Sequence, residues 1–240
     1  DFNEDQNNVI KTINNSLDEK QFNSHLLHGV TGSGKTEIFI ETIKTVIKKN
    51  KTAILLLPEI SLTPQISGRF KSVFPGKIAL WHSQLTKAQR NSTWEKIYNG
   101  ERNIVIGARS AIFTPLKNIG LIIIDEEHDS SYKQESPSPR YHARDVAIMR
   151  SKLENSMIVL SSATPSRIQW LVLRAVLLRR RRRSTSPTWQ SSTPRPIKPI
   201  ASASRSKTVR RFVFSSRPKK LSTLENLGAY HGEIERNLSH

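Results

Sequence analysis

The 240-residue chain contains no cysteine. That absence excludes a disulfide framework, a thiol nucleophile and a zinc site built on Cys ligands. Long apolar runs are missing too: no stretch reaches the roughly 18–20 residues that a helix needs to span a bilayer. The opening residues, Asp1-Phe-Asn-Glu-Asp5, have neither the basic region nor the apolar stretch of a signal peptide. The expected setting is therefore a soluble, intracellular one. Acidic residues are scarce, but only at one end. The chain carries 38 Lys+Arg against 20 Asp+Glu, a net charge of +18. Up to Ser166 the count is 21 against 17; from Arg167 onward it is 17 against 3 in 74 residues. A nearly balanced body thus precedes a strongly basic segment. The excess predicts a polyanionic partner, either nucleic acid or an anionic membrane surface.

Within the body, apolar periodicity predicts helices at 4–17, 38–50, 64–74, 87–98 and 143–153. Short runs rich in Ile, Leu and Val predict strands at 25–28, 52–57, 77–81, 103–106, 121–124 and 157–160. These strands are apolar on both faces, as in a parallel sheet covered by helices on each side. The predicted fold is α/β, doubly wound, over residues 1–166. After Pro165 the pattern changes to five consecutive arginines, Arg179–Arg183, and then Ser/Thr/Pro-rich text. Apart from one short amphipathic helix at 168–178, residues 167–240 are read as a disordered tail, unable to bury enough apolar surface to offset its ordering entropy.

Two motifs carry chemistry. Gly29-Val-Thr31-Gly32-Ser33-Gly34-Lys35-Thr36 has the spacing of a phosphate-binding loop and lies between a predicted strand and a predicted helix. Its glycines let successive N–H groups converge on an anion, and the helix adds its positive N-terminal end. Lys35 is expected to reach the terminal phosphates and the Thr36 hydroxyl to hold Mg²⁺. The second motif, Leu121-Ile-Ile-Ile-Asp125-Glu126-Glu127-His128, is an apolar strand ending in carboxylates. Asp125 is expected to hold the same magnesium. Glu126 would orient and deprotonate an attacking water. His128 would either sense the γ-phosphate or couple the site to a neighbouring motif. A P-loop kinase needs no such tetrad, so its presence favours an NTPase motor.

These motifs, with Leu57-Pro58-Glu59-Ile60, Leu62-Thr63-Pro64, Gly107-Ala-Arg109-Ser-Ala-Ile-Phe113 and Ser162-Ala-Thr164-Pro165, resemble the ordered motif series of superfamily 2 helicases. Trp81-His-Ser83, Asp125-Glu-Glu-His-Asp-Ser-Ser-Tyr-Lys-Gln134 and Arg140-Tyr-His-Ala-Arg-Asp145 bring residues 2–166 closer still to the PriA-type replication-restart helicases. The resemblance implies a RecA-like P-loop lobe, ATP and Mg²⁺ as cofactors, 3′-to-5′ DNA unwinding at stalled forks, and a cytoplasmic, nucleoid-associated setting. It also implies single-stranded and forked DNA, primosome proteins and single-strand-binding protein as partners. Gln6 matches the glutamine that reads adenine. Ser162 and Thr164 match the motif that links hydrolysis to strand separation. Pro58, Glu59, Thr63 and Arg109 match positions that touch the DNA backbone. Ser130–Arg144 resembles an aromatic-rich loop that couples single-stranded DNA binding to hydrolysis, with Tyr132, Lys133, Tyr141, His142 and Arg144 offering stacking faces and cations. Trp81-His82 reads equally as part of this apparatus or as a satisfied strand end.

Three parts of the family pattern have no counterpart in the sequence: an N-terminal DNA-binding domain, a zinc-binding insertion with paired Cys-x-x-Cys motifs, and a second RecA-like lobe after Ser166. The expectation drawn from that break is a frameshift or truncation near Ser166, with residues 167–240 replacing the second lobe. A single lobe is expected to bind nucleotide and to unwind little. Two alternatives stay open: another superfamily 2 DNA translocase, and a nucleotide-gated single-stranded DNA-binding module without catalysis of its own.

Overall fold

A computed structural model of the chain describes residues 2–19, 21–30 and 32–163, together with the backbone of 210–214. The helix expected at 168–178 and most of the basic segment lie outside the described residues. Helix α1 (Glu4–Leu17) opens on a capping box in which Asn3 and Gln6 each accept the other's backbone N–H. Its inward face is Val9, Ile10, Ile13 and Leu17, as the periodicity predicts. The chain continues through β1 (Asn23–Gly29), α2 (Lys35–Lys48), β2 (Thr52–Leu56), α3 (Pro64–Val73), β3 (Ile78–Trp81), α4 (Lys87–Tyr98), β4 (Ile104–Gly107) and β5 (Ile119–Ile124). A two-stranded antiparallel ribbon follows, β6 (Lys133–Gln134) with β7 (Tyr141–His142). Helix α5 (Ala143–Leu153), β8 (Met157–Ser162) and β9 (Arg210–Phe214) complete the described elements. The helices and strands expected between residues 4 and 160 are all present, with ends moved by a few residues.

The main sheet has the order β3-β4-β2-β5-β8-β1-β9, and every neighbouring pair is parallel. Because side chains alternate along a strand, each apolar run serves two cores. Leu121 and Ile123 join Leu55, Ile106 and Val159 beneath α1, α2 and α3, whose Ile13, Ile43 and Phe70 are buried there. Ile122 and Ile124 join Ile54, Leu56 and Leu160 on the opposite face, under Ile112, Tyr132, Ala147 and Ile148. Each fully buried Ile or Leu contributes up to about 1.5–3 kcal/mol. Helix α4 is held differently. Only its Ile97 is buried, and a Thr86–Gln89 capping box fixes its start.

Within the segment expected to be disordered, Arg210–Phe214 pairs in parallel with β1, from His25 opposite Arg210 to Gly29 opposite Phe214. The Phe212-Val-Phe214 run has strong strand propensity. Without β9, β1 would present an edge of unpaired backbone groups.

Candidate active site

Parallel strands place all their carboxyl ends on one edge of the sheet, where ligands of open α/β folds bind. The phosphate loop follows β1, the acidic tetrad follows β5, and β8 lies between those two strands. At strand spacings near 4.8 Å, the two motifs are within reach of one lysine side chain. Lys35 Nζ donates to Glu126 Oε1 at 2.9 Å and to the Gly29 carbonyl at 2.8 Å. The sheet thus brings the two motifs together across 91 residues of sequence.

The loop's own geometry suits an anion. Gly32 and Gly34 have φ of 79° and 86°, a left-handed conformation that side chains with a Cβ resist. A Cβ on Gly34 would also lie 2.4 Å from Gln6 Nε2. That amide donates to the Ser33 carbonyl at 2.9 Å, so α1 holds Gln6 directly against the loop. Asn3, Thr63, Thr86 and His142 cap α1, α3, α4 and α5 through their side chains, whereas α2 begins at Gly34 with no side-chain cap. The Glu37 N–H donates to the Gly34 carbonyl at 3.0 Å, and the N–H groups of Lys35 and Thr36 are left for another acceptor. Ser33 Oγ is buried and has no hydrogen-bond partner among the described residues. These features fit a bound phosphate chain. Gly29 is buried and Thr36 half-buried at the start of α2; Thr31 lies outside the described residues.

At the acidic tip, Asp125 Oδ1 accepts from Ser161 Oγ at 2.9 Å and from the Glu126 N–H at 3.1 Å. Burial holds the Asp125 carboxyl above the usual carboxylate range; the Ser161 bond and Lys35 oppose this, and the Glu126 charge adds to it. A buried, incompletely compensated carboxylate is the environment in which a cation is most favourable. Glu126 has φ of 43°, a conformation costing a non-glycine residue about 1–3 kcal/mol. Its carboxylate is fixed on both sides, by Lys35 and by the Ala163 N–H at 3.1 Å to Oε2. His128 Nδ1 lies 3.0 Å from Ser162 Oγ and 3.8 Å from Glu126 Oε2. Of the two roles held open for His128, this geometry favours the link to a neighbouring motif, since Ser162 belongs to the segment ending β8. Thr164 lies outside the described residues.

The residues expected to meet DNA divide into two groups. Glu59 and Thr63 are exposed and Pro58 is buried just before them. Thr63 caps α3, and Glu59 accepts a hydrogen bond from Ser83, which ties the Trp81-His-Ser83 segment to this loop. Trp81 itself is a satisfied strand end: it is buried, its indole N–H donates to Ser110 Oγ at 3.2 Å, and its backbone crowds Gly107, where a Cβ would sit 2.1 Å from the Trp81 carbonyl. Arg109 donates to the Lys133 carbonyl at 3.1 Å and to that of Ser131 at 3.4 Å, so it spans two of the expected segments. Lys133 is exposed and pairs with Glu135. Tyr141 is half-buried, edge-on to Phe113 with ring centroids 5.0 Å apart; burial raises its phenol pKa and Arg109 opposes the shift. His142 caps α5 by accepting the Arg144 N–H at its Nδ1, and burial, with the Arg144 charge, lowers its pKa below 6.5.

Two expectations in this group are corrected. Tyr132 is 0% exposed, which removes its ring from any base. Its hydroxyl donates to the Asp125 carbonyl at 2.7 Å, and burial beside that acidic cluster raises its pKa far above the ordinary value. Arg144 also points inward, pairing with Glu127 at 3.1 Å and with Asp145 at 3.1 Å. Glu127 is 2% exposed, and such a carboxylate needs a partner. Both residues brace the acidic tip rather than offer it to a strand. Glu127 and Ser161 are the functional-site residues that sequence reasoning left without a role. Glu127 stood inside the tetrad; for Ser161 the adjacent Ser162 gave the only signal.

The family model for DEAD/DEAH box helicases matches residues 3–170. Over 163 residues the chain is 51% identical to the replication restart protein PriA of Bacillus subtilis (strain 168), covering 68% of this chain and 20% of that protein. Over 166 residues it is 48% identical to PriA of Chlamydia pneumoniae, covering 69% and 22%. The chain thus spans about a fifth of the length of the curated relatives it matches. Among solved structures, RecG bound to a three-way DNA junction aligns with a TM-score of 0.56 at 23% identity, covering 74% of this chain and 23% of that one. The Pyrococcus furiosus Hef helicase domain aligns with a TM-score of 0.51 at 17% identity, covering 70% and 35%. At these identities the likeness is one of fold.

Proposed function

This chain belongs to the DEAD/DEAH box helicase family, and we propose that it is the ATP-binding lobe of a PriA-type, 3′-to-5′ DNA helicase of replication restart. The observation that carries this reading is the 2.9 Å contact between Lys35 and Glu126, which joins a phosphate cradle to a carboxylate pair on one sheet edge. In this reading Gln6 reads adenine. Gly29, Thr31, Gly32, Ser33, Gly34 and Lys35 hold the phosphates, and Thr36 with Asp125 holds magnesium. Bound magnesium–ATP would supply the phosphoanhydride and the charge neutralisation that phosphoryl transfer needs. Glu126, released by Lys35 as the phosphates enter and still held by the Ala163 N–H, takes the proton of the attacking water at its carboxylate. His128, Ser162 and Thr164 pass the state of the site to the DNA-facing edge.

Pro58, Glu59, Thr63, Arg109, Lys133, Tyr141 and His142 are the proposed contacts to single-stranded and forked DNA, chiefly through its backbone. Tyr132 and Arg144 support that loop from behind. Primosome and single-strand-binding proteins are the proposed partners of the longer protein, in the cytoplasm and at the nucleoid. Among the described residues no helix is long and apolar enough to cross a membrane. Residues 167–240 are proposed to stand where a second lobe would be, through a frameshift or truncation near Ser166. An alternative reading frame there that encodes no second lobe would refute this. In related motors the arginine from outside the lobe contributes about 10³–10⁵ in rate, so this chain alone should unwind little. The decisive experiment is nucleotide titration of the wild type and Lys35→Ala. Loss of binding in the variant is expected, and equal binding overturns the site.

A further inference from the structure

The sheet ends on β3, which among the described residues has a strand partner on one side only. The Lys77 carbonyl accepts from Ile104 N–H and the Trp81 carbonyl from Ala108 N–H. Backbone direction alternates along a strand, so the amide groups of Ile78 and Leu80 face away from β4. Along that open edge runs a groove of about 550 Å³, bounded by α3, β3 and α4. Lys71, Lys96, Arg102 and His82 line it, and no carboxylate does. Helix α4 contributes Ser92 and Thr93, whose hydroxyls add further donors. The groove stays open because α4 buries only Ile97 and otherwise meets the end of β3 through Trp94 and Arg90, which pack on the Trp81 ring. Arg102 is fixed in place by donating to the Gly76 carbonyl.

Three cations with no carboxylate among them, beside the Ser92 and Thr93 hydroxyls and over an apolar floor that includes Ile78, Leu80 and Leu85, complement a ligand that carries anionic groups on a less polar scaffold. The groove also continues a surface already described. His82 lines it, and the adjacent Ser83 donates to Glu59; Lys71 lies on the helix that Thr63 caps. We propose that this groove holds the phosphodiester backbone of a nucleic-acid strand, outside the cleft that binds ATP. The inference rests on the proposed motor function for one point only, the identity of the polyanion as nucleic acid.

The absence of cysteine makes the test clean. Ser92→Cys in the full chain carries a benzophenone cross-linker, and Leu153→Cys, at a position 66% exposed on α5, measures the background from the basic segment. With a labelled single-stranded oligodeoxynucleotide, cross-linking at position 92 should exceed that at 153 several-fold. It should fall to the background level when Lys71→Glu and Lys96→Glu are added. Lys71→Gln with Lys96→Gln serves as a milder pair, with ATP affinity as the folding control. Removing two phosphate contacts should also lower the slope of log affinity against log salt by about 1.4. Equal cross-linking at the two positions, or none lost in either charge variant, overturns the proposal. Displacement by polyglutamate as effective as by DNA overturns it in favour of an acidic polypeptide. ATP binding that depends on Lys35 reports separately on the motor reading, so a failed groove leaves that reading standing. A failed nucleotide site with intact cross-linking at position 92 does the reverse.

Discussion

Replacing Glu126 by Gln should tighten nucleotide binding while abolishing hydrolysis. Lys35 donates to Glu126 Oε1 at 2.9 Å, with side-chain exposures of 8% and 26%. A hydrogen bond between charged groups contributes roughly 1.5–3 kcal/mol net. Partial exposure of the carboxylate and salt screening lower that to about 1–2 kcal/mol. A phosphate entering the loop must draw Lys35 from this partner and must also approach a like charge on Glu126. Gln keeps the shape and a neutral acceptor but removes the charge, so both costs fall. At 1.4 kcal/mol per factor of ten, affinity should rise about 5- to 30-fold. Loss of the general base should cost about 10²–10⁴ of any residual turnover. Calorimetric titration with magnesium and a non-hydrolysable ATP analogue reads the first effect, and phosphate release with ATP reads the second. If Glu126→Gln binds the analogue no more tightly than wild type, the ion pair is not what holds Lys35 in reserve, and the reasoning fails.

Gly34→Ala puts a Cβ on a left-handed backbone and displaces the Gln6 amide, 2.4 Å away; it should destabilise the chain by about 1–2 kcal/mol and lower ATP affinity, measured by thermal melting and titration. Arg144→Ala leaves Glu127 buried and unpaired, so a loss of about 3–5 kcal/mol in stability is expected; unchanged melting with weakened DNA binding would instead restore Arg144 to the DNA surface. Asp125 has a folded-state pKa raised above 3.8 by burial. Its ionisation therefore opposes folding: stability is highest below the unfolded pKa and falls as pH rises through the raised value. Asp125→Asn should raise the nucleotide-free melting temperature at neutral pH, flatten that pH dependence and abolish the effect of magnesium on nucleotide affinity, all readable by calorimetry. His142 has the opposite sense of coupling. Its pKa is lowered from 6.5, so protonation opposes the folded state and stability at the start of α5 falls as pH drops below 6.5; the protection of the Arg144 amide from hydrogen exchange, relative to its intrinsic rate, should fall there and not in His142→Asn.

Much of this molecule is legible along the chain because its signals are local. Gly29–Thr36 specifies a loop, and Asn3 with Gln6 specifies a helix start, through contacts between near neighbours. The alternation hidden in Leu121–Ile124 cannot be read that way: all four residues are apolar, and only the covering helices decide which face each one joins. The same limit explains the two misread side chains. A tyrosine and an arginine beside lysines and histidines look like a nucleic-acid surface, and nothing local says that Tyr132 turns toward the Asp125 carbonyl or that Arg144 answers a buried Glu127.

By itself the sequence determined the order of the five helices and six of the strands between residues 4 and 162, the phosphate loop, the carboxylate tip and the family. Those depend on residue type and spacing within each element or motif. Tertiary structure alone decided that Lys35 meets Glu126, that Ser161 and Ala163 hold the acidic pair, and that a cationic groove opens beside β3. Each of these joins residues distant in sequence, and their distances are set by the strand order of the sheet, which no local stretch encodes.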